Sequence, residues 1–331
     1  MSDSVFLSIV IPVYNAANTI TRCLDSIWMQ GLNDAEYEVI CVNDCSTDNS
    51  VEVISNVQKS HHNLRLLHNA ENLRAGGARN HGVREAKGEY IVFIDADDYF
   101  HKGSLPVVVD YQKLHGLDIL VCDFARHNLD NVNDVLVHNF KSQEVMPGRE
   151  FLVVNSLPYA PWKYVFKRDL MIDNKLFFVE KLSCEDVDWS HKIAFFANTM
   201  QYQPILLTHY ILMDSSQTSV EYKNTNTVFH RLQAGKRVSE LVPLCISEAE
   251  KRQILAVAKS TLKNGIIFIN GLFISPRRKA DIIKECVSSD VDWGRAMNFI
   301  RDNAYLYSCF STLIAPFFRT AIYCKRKFFG R

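Results

Sequence analysis

The chain reads as an α/β protein: a doubly wound, mostly parallel sheet, Rossmann-like in its nucleotide-binding half, followed by a helical C-terminal region. Three observations predict this. Continuous apolar runs alternate with helix-period segments from Phe6 to Cys122. Polar, chemistry-bearing residues fall directly after those runs. From about Asn224 onward only helix-period patterns remain. Buried parallel strands read as unbroken apolar runs because both faces are covered.

Phe6 to Val13 is the first such run. Asn15 or Asn18 can cap a helix to about Gln30. Tyr37 to Val42 is a second strand, and Ser46 or Thr47 can cap a helix through about Lys59. Leu64 to His68 is a third strand, and Ala75 to Lys87 is a helix stopped at Gly88. Tyr90 to Ile94 is a fourth strand, Gly103 to His115 a helix, and Asp118 to Cys122 a fifth strand. Such repeats imply helices on both faces of the sheet, with ligands outside the strands' carboxyl ends. Residues 126–150 lose the rhythm and read as an excursion or edge hairpin. A helix over Glu185 to Ala197 and a strand over Ile205 to Leu212 follow. Val228 to Leu241, Glu248 to Phe273 and Arg277 to Val287 are helical. The expected domains are 1–220 and 221–331.

Bulk composition narrows the function. Of 331 residues, 47% are hydrophobic and 22% charged, an ordinary globular balance. Lys+Arg and Asp+Glu are both 37, so no basic footprint for nucleic acid exists. Nine scattered cysteines without a Cys-x-x-Cys pair read as reduced thiols in a cytoplasmic protein. The N-terminus carries no signal-peptide flank. Residues 304–331 are different. They hold Arg319, Lys325, Arg326, Lys327 and Arg331 among aromatics, with no Asp or Glu. Such an end suits either peripheral contact with an anionic membrane or a packed helix with a frayed basic tip.

The chemistry sits after the strands. Strand one ends in Pro12-Val13-Tyr14-Asn15, and strand two in Asn43-Asp44-Cys45-Ser46-Thr47-Asp48. Strand four ends in Asp95-Ala96-Asp97-Asp98, three carboxylates in four positions. Repelling carboxylates need a cation, and hard oxygens suit a divalent one carrying phosphates. The plainer reading of that motif is a solvated acidic turn. A nucleoside diphosphate fits the whole set. Asp44 can accept a uracil imide N–H, Asp95 can hold a ribose hydroxyl, and Asp97 can ligate the metal. Gly76-Gly77 permits close backbone approach, and Arg79 adds a donor. Arg79 can instead form an ion pair with Glu85 or Asp95, Tyr14 can simply pack, and Asp98 can cap the next segment. No Gly-x-Gly-x-x-Gly follows strand one and no Gly-Lys-Ser/Thr loop exists, which disfavours dehydrogenase and P-loop readings.

As an ordered set, Ser8 to Asn15, Asn43 to Asp48, Ala78 to Gly82 and Gly88 to Asp98 resemble glycosyltransferase family 2, with its GT-A fold. The resemblance covers roughly residues 6–215. It implies an inverting transfer from a nucleotide-sugar donor, with Mn²⁺ or Mg²⁺, onto a glycan or lipid-linked acceptor. It assigns Asp44 to the base and Asp95 and Asp97 to the ribose, diphosphate and metal, with Pro12, Tyr14, Asn15, Arg79 and Ala96 as further donor-nucleotide candidates and Asp97 as the metal ligand. It assigns the general base to Asp186, and places Trp162, Lys163, Glu185 and Asp98 near the acceptor or donor sugar. Glu185-Asp186 also reads as ordinary first-turn capping, and Asp188 as a solvated helix residue. Asn43 stands where the family often has Asp. Leu212-Met213-Asp214 stand where it often has Arg or His, leaving Ser215, Ser216 and Ser219 as polar candidates. His209 reads as structural or as a third metal ligand. The competing classes are a degenerate nucleotide-sugar binding protein and a sugar nucleotidyltransferase. The second would want a basic Gly-rich loop where Pro12-Val13-Tyr14-Asn15-Ala16 stands.

Overall fold

The computed structural model describes residues 5–128, 131–136, 140–155, 157, 159–212, 225–270, 274–287, 291–293 and 295–308. The chain divides into two compact units, Met1–Asp214 and Ser215–Arg331. The boundary expected at 220 falls at residues 213–224, outside the described ones.

The first unit is built on β1 (Leu7–Val13), β2 (Tyr37–Asn43), β3 (Leu64–His68) and β4 (Tyr90–Phe93). They lie side by side in the order β3-β2-β1-β4, all parallel. Nearly every residue of β1, β2 and β4 is buried, as two-sided coverage demands. The helices between them are α1 (Ile20–Trp28), α2 (Ser50–Gln58) and α3 (Arg74–Glu85). In register, Val13 lies beside Asn43, and Val10 beside Phe93. The strands therefore release their chains at one edge, and Tyr14, Asp44 and Asp95 leave together.

Beyond β4 the sheet turns mixed. β5 (Tyr99–Phe100), α4 (Ser104–His115), β6 (Ile119–Asn128), β7 (Asn131–Leu136), α5 (Gly148–Val154), β8 (Tyr164–Lys167), α6 (Arg168–Asp173), α7 (Glu185–Phe196) and β9 (Met200–Leu212) follow. The order continues β4-β8-β6-β9-β5, with β7 paired to β6. β8 is antiparallel to both β4 and β6, while β9 runs parallel to β6. The fifth expected strand is longer than Asp118 to Cys122 and opens the β6–β7 hairpin.

Helix starts differ from the expected caps. α1 begins after Thr19 and α2 after Asn49. Asn15 and Ser46 instead bind each other's loop: Asn15 N–H donates to Ser46 Oγ at 3.0 Å, and Thr47 N–H to Asn15 Oδ1 at 2.8 Å. Their side chains serve the β1 and β2 exits rather than the helices.

α3 packs on β1 through Gly82, where a Cβ would meet Val10 Cγ1 at 2.3 Å. α7 is anchored by Trp189. Its ring stacks on Phe178 at 4.4 Å and meets Phe93 and Phe166 edge-on, while its Nε1 donates to Leu176 O at 2.9 Å. That box holds the start of α7 against β4.

The second unit is helical: α8 (Thr225–Ser239), α9 (Glu248–Asn270), α10 (Pro276–Cys286) and α11 (Arg295–Asp302). Its core includes Leu232, Val238, Ala258, Leu262, Ile266 and Ile283.

Candidate active site

The carboxyl edge of the parallel strands gathers most of the expected residues. Asp44 follows β2 directly and is 2% exposed. Asn69 Nδ2 donates to its Oδ1 at 2.7 Å, and Leu73 N–H at 2.8 Å. Asp44 Oδ2 is buried and has no partner. His81 orients Asn69 through Oδ1 at 2.7 Å, and Asn72 Nδ2 donates to Asp44 O at 3.0 Å. Asn43 does not share this work: its amide meets His68 and Ser46 N–H. Pro12 lies in β1, Tyr14 is 48% exposed, and Asn15 is spent on the β2 loop.

Arg79 is the hub. Its Nη2 lies 2.6 Å from Asp95 Oδ1 and its Nη1 lies 3.1 Å from Glu185 Oε1. Phe93 and Phe178 flank the guanidinium. Burial would lower the Arg79 pKa, but Asp95 and Glu185 outweigh it and raise it. Burial pushes the Glu185 carboxyl up, with Arg79 opposing. The pairing of Arg79 with Asp95 is one of the two expected ion pairs. Glu85 pairs with Arg65 instead.

The acidic turn follows. Burial and then Asp95 push Asp97 up to about 6. Asp98 is fully buried and is likewise raised, by burial and then by Asp95 and Asp97. Asp98 Oδ1 accepts Ile211 N–H at 2.9 Å, while its Oδ2 is buried without a partner. Ala96, between Asp95 and Asp97, is buried. Arg22 Nη2 donates to Asp97 O at 2.5 Å, and its guanidinium sits over the Tyr99 ring. Arg22 lies on the exposed face of α1, so periodicity carries no signal for it.

Asp186 sits in the first turn of α7, beside the clamped Glu185. Cys184 turns the chain into that helix at φ 59°. Asn15, Cys45 and Arg74, at the border of this site, take similar left-handed angles, as do Lys175 and Lys181 outside it. Non-glycine strain of this kind collects where a loop must present a particular group. Gly76 completes the approach of α3 to α7: a Cβ there would meet Glu185 Cγ at 2.9 Å and Phe178 Cβ at 3.0 Å.

Other expected residues surround the start of β8 and the end of β9, beside the acidic turn. Trp162 stacks on Tyr210 and meets Phe124 edge-on. Lys163 is fully buried, over the Phe124 and Phe140 rings, and burial lowers its pKa to about 7 against the pull of Asp123. It faces the interior. Asp188, expected in solvent, is 3% exposed and pairs with Lys192 at 3.4 Å. His209 is not alone: its Nε2 meets His101 Nδ1 at 2.9 Å and its Nδ1 meets His127 Nε2 at 2.6 Å. Burial, His127 and His101 lower it to about 4. With both ring nitrogens engaged, it serves as a link between β5, β6 and β9. Residues 213–219 lie outside the described ones. A cavity of about 550 Å³ lined by Asp118, Arg149, Lys167 and Asp169 lies at the opposite edge, where Lys167 pairs with Tyr90 at the start of β4.

The family profile described as "Glycosyl transferase family 2" matches residues 8–180, the stretch that carries the strands and carboxylates described above. The chain belongs to glycosyl transferase family 2. It is a glycosyltransferase with the GT-A fold. It is 28% identical to the glycosyltransferase YibD of Escherichia coli over 251 residues, 73% of this chain and 72% of that one. It is 28% identical to a poly(ribitol-phosphate) beta-glucosyltransferase of Bacillus spizizenii over 298 residues, 88% of this chain but 44% of that one. Against poly(ribitol-phosphate) beta-N-acetylglucosaminyltransferase TarS of Staphylococcus aureus the identity is 28%, over 75% of this chain and 43% of TarS. The chain thus spans under half the length of these two relatives. A crystal structure of TarS 1–349 with UDP-GlcNAc superposes at a TM-score of 0.69, with 22% identity, covering 97% of this chain and 92% of that one. The mannosyltransferase PcManGT of Pyrobaculum calidifontis, solved with GDP-Man and Mn2+, superposes at 0.54 with 16% identity, covering 93% and 86%. In this family-2 chain, the mixed second half of the sheet brings β8 and α7 to the edge where β1, β2 and β4 end.

Proposed function

We propose that this family-2 enzyme moves a sugar from a UDP-sugar to a hydroxyl of a glycan or lipid-linked acceptor, with inversion, in surface-glycan assembly. The observation that carries this is Arg79, which ties the Asp95 turn to Glu185, the neighbour of Asp186. One guanidinium thereby sets the distance between a donor side and a base side. The names of the Bacillus and Staphylococcus relatives support an acceptor of the glycan or polyol-phosphate kind.

In this reading Asp44 Oδ2, buried and unpartnered, accepts the imide N–H of uracil. Asp95, one oxygen held by Arg79, accepts a ribose hydroxyl with the other. Asp186 takes the proton of the attacking acceptor hydroxyl, and the N-terminus of α7 stabilises its carboxylate before transfer. The residues fit a divalent cation. Asp97 and the orphaned oxygen of Asp98 crowd one turn with Asp95. Asp97, backed by Asp98, would hold it. Among the described residues no three such ligands form a ready cage. A cation bound largely by a diphosphate needs only one or two carboxylates. When bound, it supplies Lewis-acid stabilisation of the leaving diphosphate.

Calorimetric titration of UDP and GDP, with Mn²⁺ and then with EDTA, tests the assignment. Metal-dependent UDP binding is expected, and Asp97→Ala should abolish the metal dependence. Binding of neither nucleotide would favour a degenerate binding protein. The pH dependence has a definite sign. Asp97 is raised from 3.8 to about 6, so it holds a proton in the folded state that the unfolded chain has released. Its contribution to stability is complete below about 4 and is lost as pH rises through about 6. Metal-assisted UDP affinity runs the other way, falling about tenfold per unit below pH 6 as the proton competes. A flat profile from pH 5 to 7 would remove Asp97 from the metal.

Gly76→Ala should lower kcat by about 10- to 100-fold, because the added methyl displaces Glu185 and with it the start of α7. An unchanged kcat in steady-state assays would mean that this contact does not set the position of Asp186.

A further inference from the structure

The acidic turn is moored to α1 through its backbone. Cys23 Sγ donates to Asp95 O at 3.6 Å, and Arg22 Nη2 to Asp97 O at 2.5 Å. One turn on, Ser26 Oγ accepts Phe100 N–H at 3.1 Å. One turn further, Gln30 donates through Nε2 to His101 O at 3.0 Å and accepts Leu105 N–H through Oε1 at 3.2 Å. Residues 22, 23, 26 and 30 recur at three to four positions, so they share one face of the helix and of the turn that ends it. Together they follow the chain from Asp95 to Leu105, and every one of these partners is a main-chain atom.

Arg22 differs from the others. Cys23, Ser26 and Gln30 are buried, whereas Arg22 is exposed and charged. Its guanidinium lies 5.5 Å from the centre of the Tyr99 ring, and that ring stacks on His209 at 4.6 Å with 11° between the planes. His209 is fixed from both sides by His101 and His127. Three flat groups thus form a column that starts on the histidine link and ends on Arg22, whose other contact is the acidic turn. The guanidinium also opposes the rise that burial and Asp95 impose on the Asp97 and Asp98 carboxyls. By charge alone it would repel a cation bound there. Holding the turn in place and repelling a metal change metal affinity in opposite directions, so a binding measurement separates them.

We propose that Arg22 positions the Asp95–Asp98 turn from α1, so that its carboxylates meet a divalent cation carrying a nucleoside diphosphate. The role rests on the assignment of Asp97 to the metal. Arg22 acts through Asp97 O and not by contact with the phosphates.

Two measurements on the full chain test it. Amide hydrogen exchange over residues 95–101, read by mass spectrometry, should become about tenfold faster in Arg22→Met, as one hydrogen bond from a charged donor is lost. The thermal midpoint should stay where it is, because Arg22 is exposed. In calorimetric titration, UDP affinity should fall about tenfold with Mn²⁺ and keep its wild-type value in EDTA. Arg22→Lys retains a cationic donor for Asp97 O but loses the flat face on Tyr99, and should recover part of both losses. Unchanged exchange would overturn the proposal. So would Mn²⁺-assisted affinity that is unchanged or tighter, which would leave Arg22 as a charge only. An equal loss in Mn²⁺ and in EDTA would also overturn it, making Arg22 a phosphate ligand. If the wild type itself shows no response to Mn²⁺, the metal assignment of Asp97 fails, and the exchange rates still decide whether Arg22 holds the turn.

Discussion

If Asp186 is the general base, Asp186→Asn should lower kcat by about 10²- to 10⁴-fold and leave UDP affinity in place. The amide keeps the size and helix position of the side chain but cannot accept the acceptor proton. Glu185 beside it cannot substitute, because its carboxylate is bound to Arg79 at 3.1 Å. Asp188, two residues on, is buried and paired with Lys192. In the proposed reading Asp186 is the first-turn carboxylate that takes the proton, and a helix N-terminus suits it in its charged form. Rapid-quench turnover with a saturating donor is the direct measurement. Wild-type turnover by Asp186→Asn would show that the base lies elsewhere.

Arg79→Met should destabilise the first unit by about 3–5 kcal/mol, because it leaves buried carboxylate without its cation. The Glu185 arm carries most of this. Glu185 is 13% exposed and Asp95 28%, so solvent screens Asp95 more. Urea midpoints read the loss. Adding Glu185→Gln to Arg79→Met should recover part of it, since the unpaired charge is then removed. No recovery would mean that the flanking contacts of Arg79 with Phe93 and Phe178, rather than its charge, hold the site. Arg79→Lys should not rescue, because an ammonium cannot span two carboxylates from one planar fork.

These two variants rest on different kinds of legibility. Asp186 is readable as a candidate only through the family resemblance, because Glu185-Asp186 alone looks like first-turn capping. The partnership of Arg79 with Glu185 is not readable. It joins residues 106 apart, and no local period links them. Arg22 is invisible for a similar reason. On an amphipathic helix an outward arginine carries no mark of the loop it will meet. The support of Asp44 by Asn69 and His81 likewise depends on how β3 and α3 lie beside β2. Lys163 misleads in the opposite sense: a charged residue is expected at a ligand surface, but the β6 and β8 packing closes over it.

The sequence alone determined the parallel half of the sheet and the edge at which its polar residues emerge. Strands covered on both faces must be continuously apolar, so their ends are marked by the first polar residue. That is why the apolar runs by themselves place Asp44, Asp95, Asp97 and Asp98 at that edge. Only the tertiary structure decided the antiparallel half, the His101–His209–His127 link and the clamp of Arg79 on α7. Pairing direction and long-range ion pairs depend on which segments meet after collapse, and the period of a single strand or helix does not encode that.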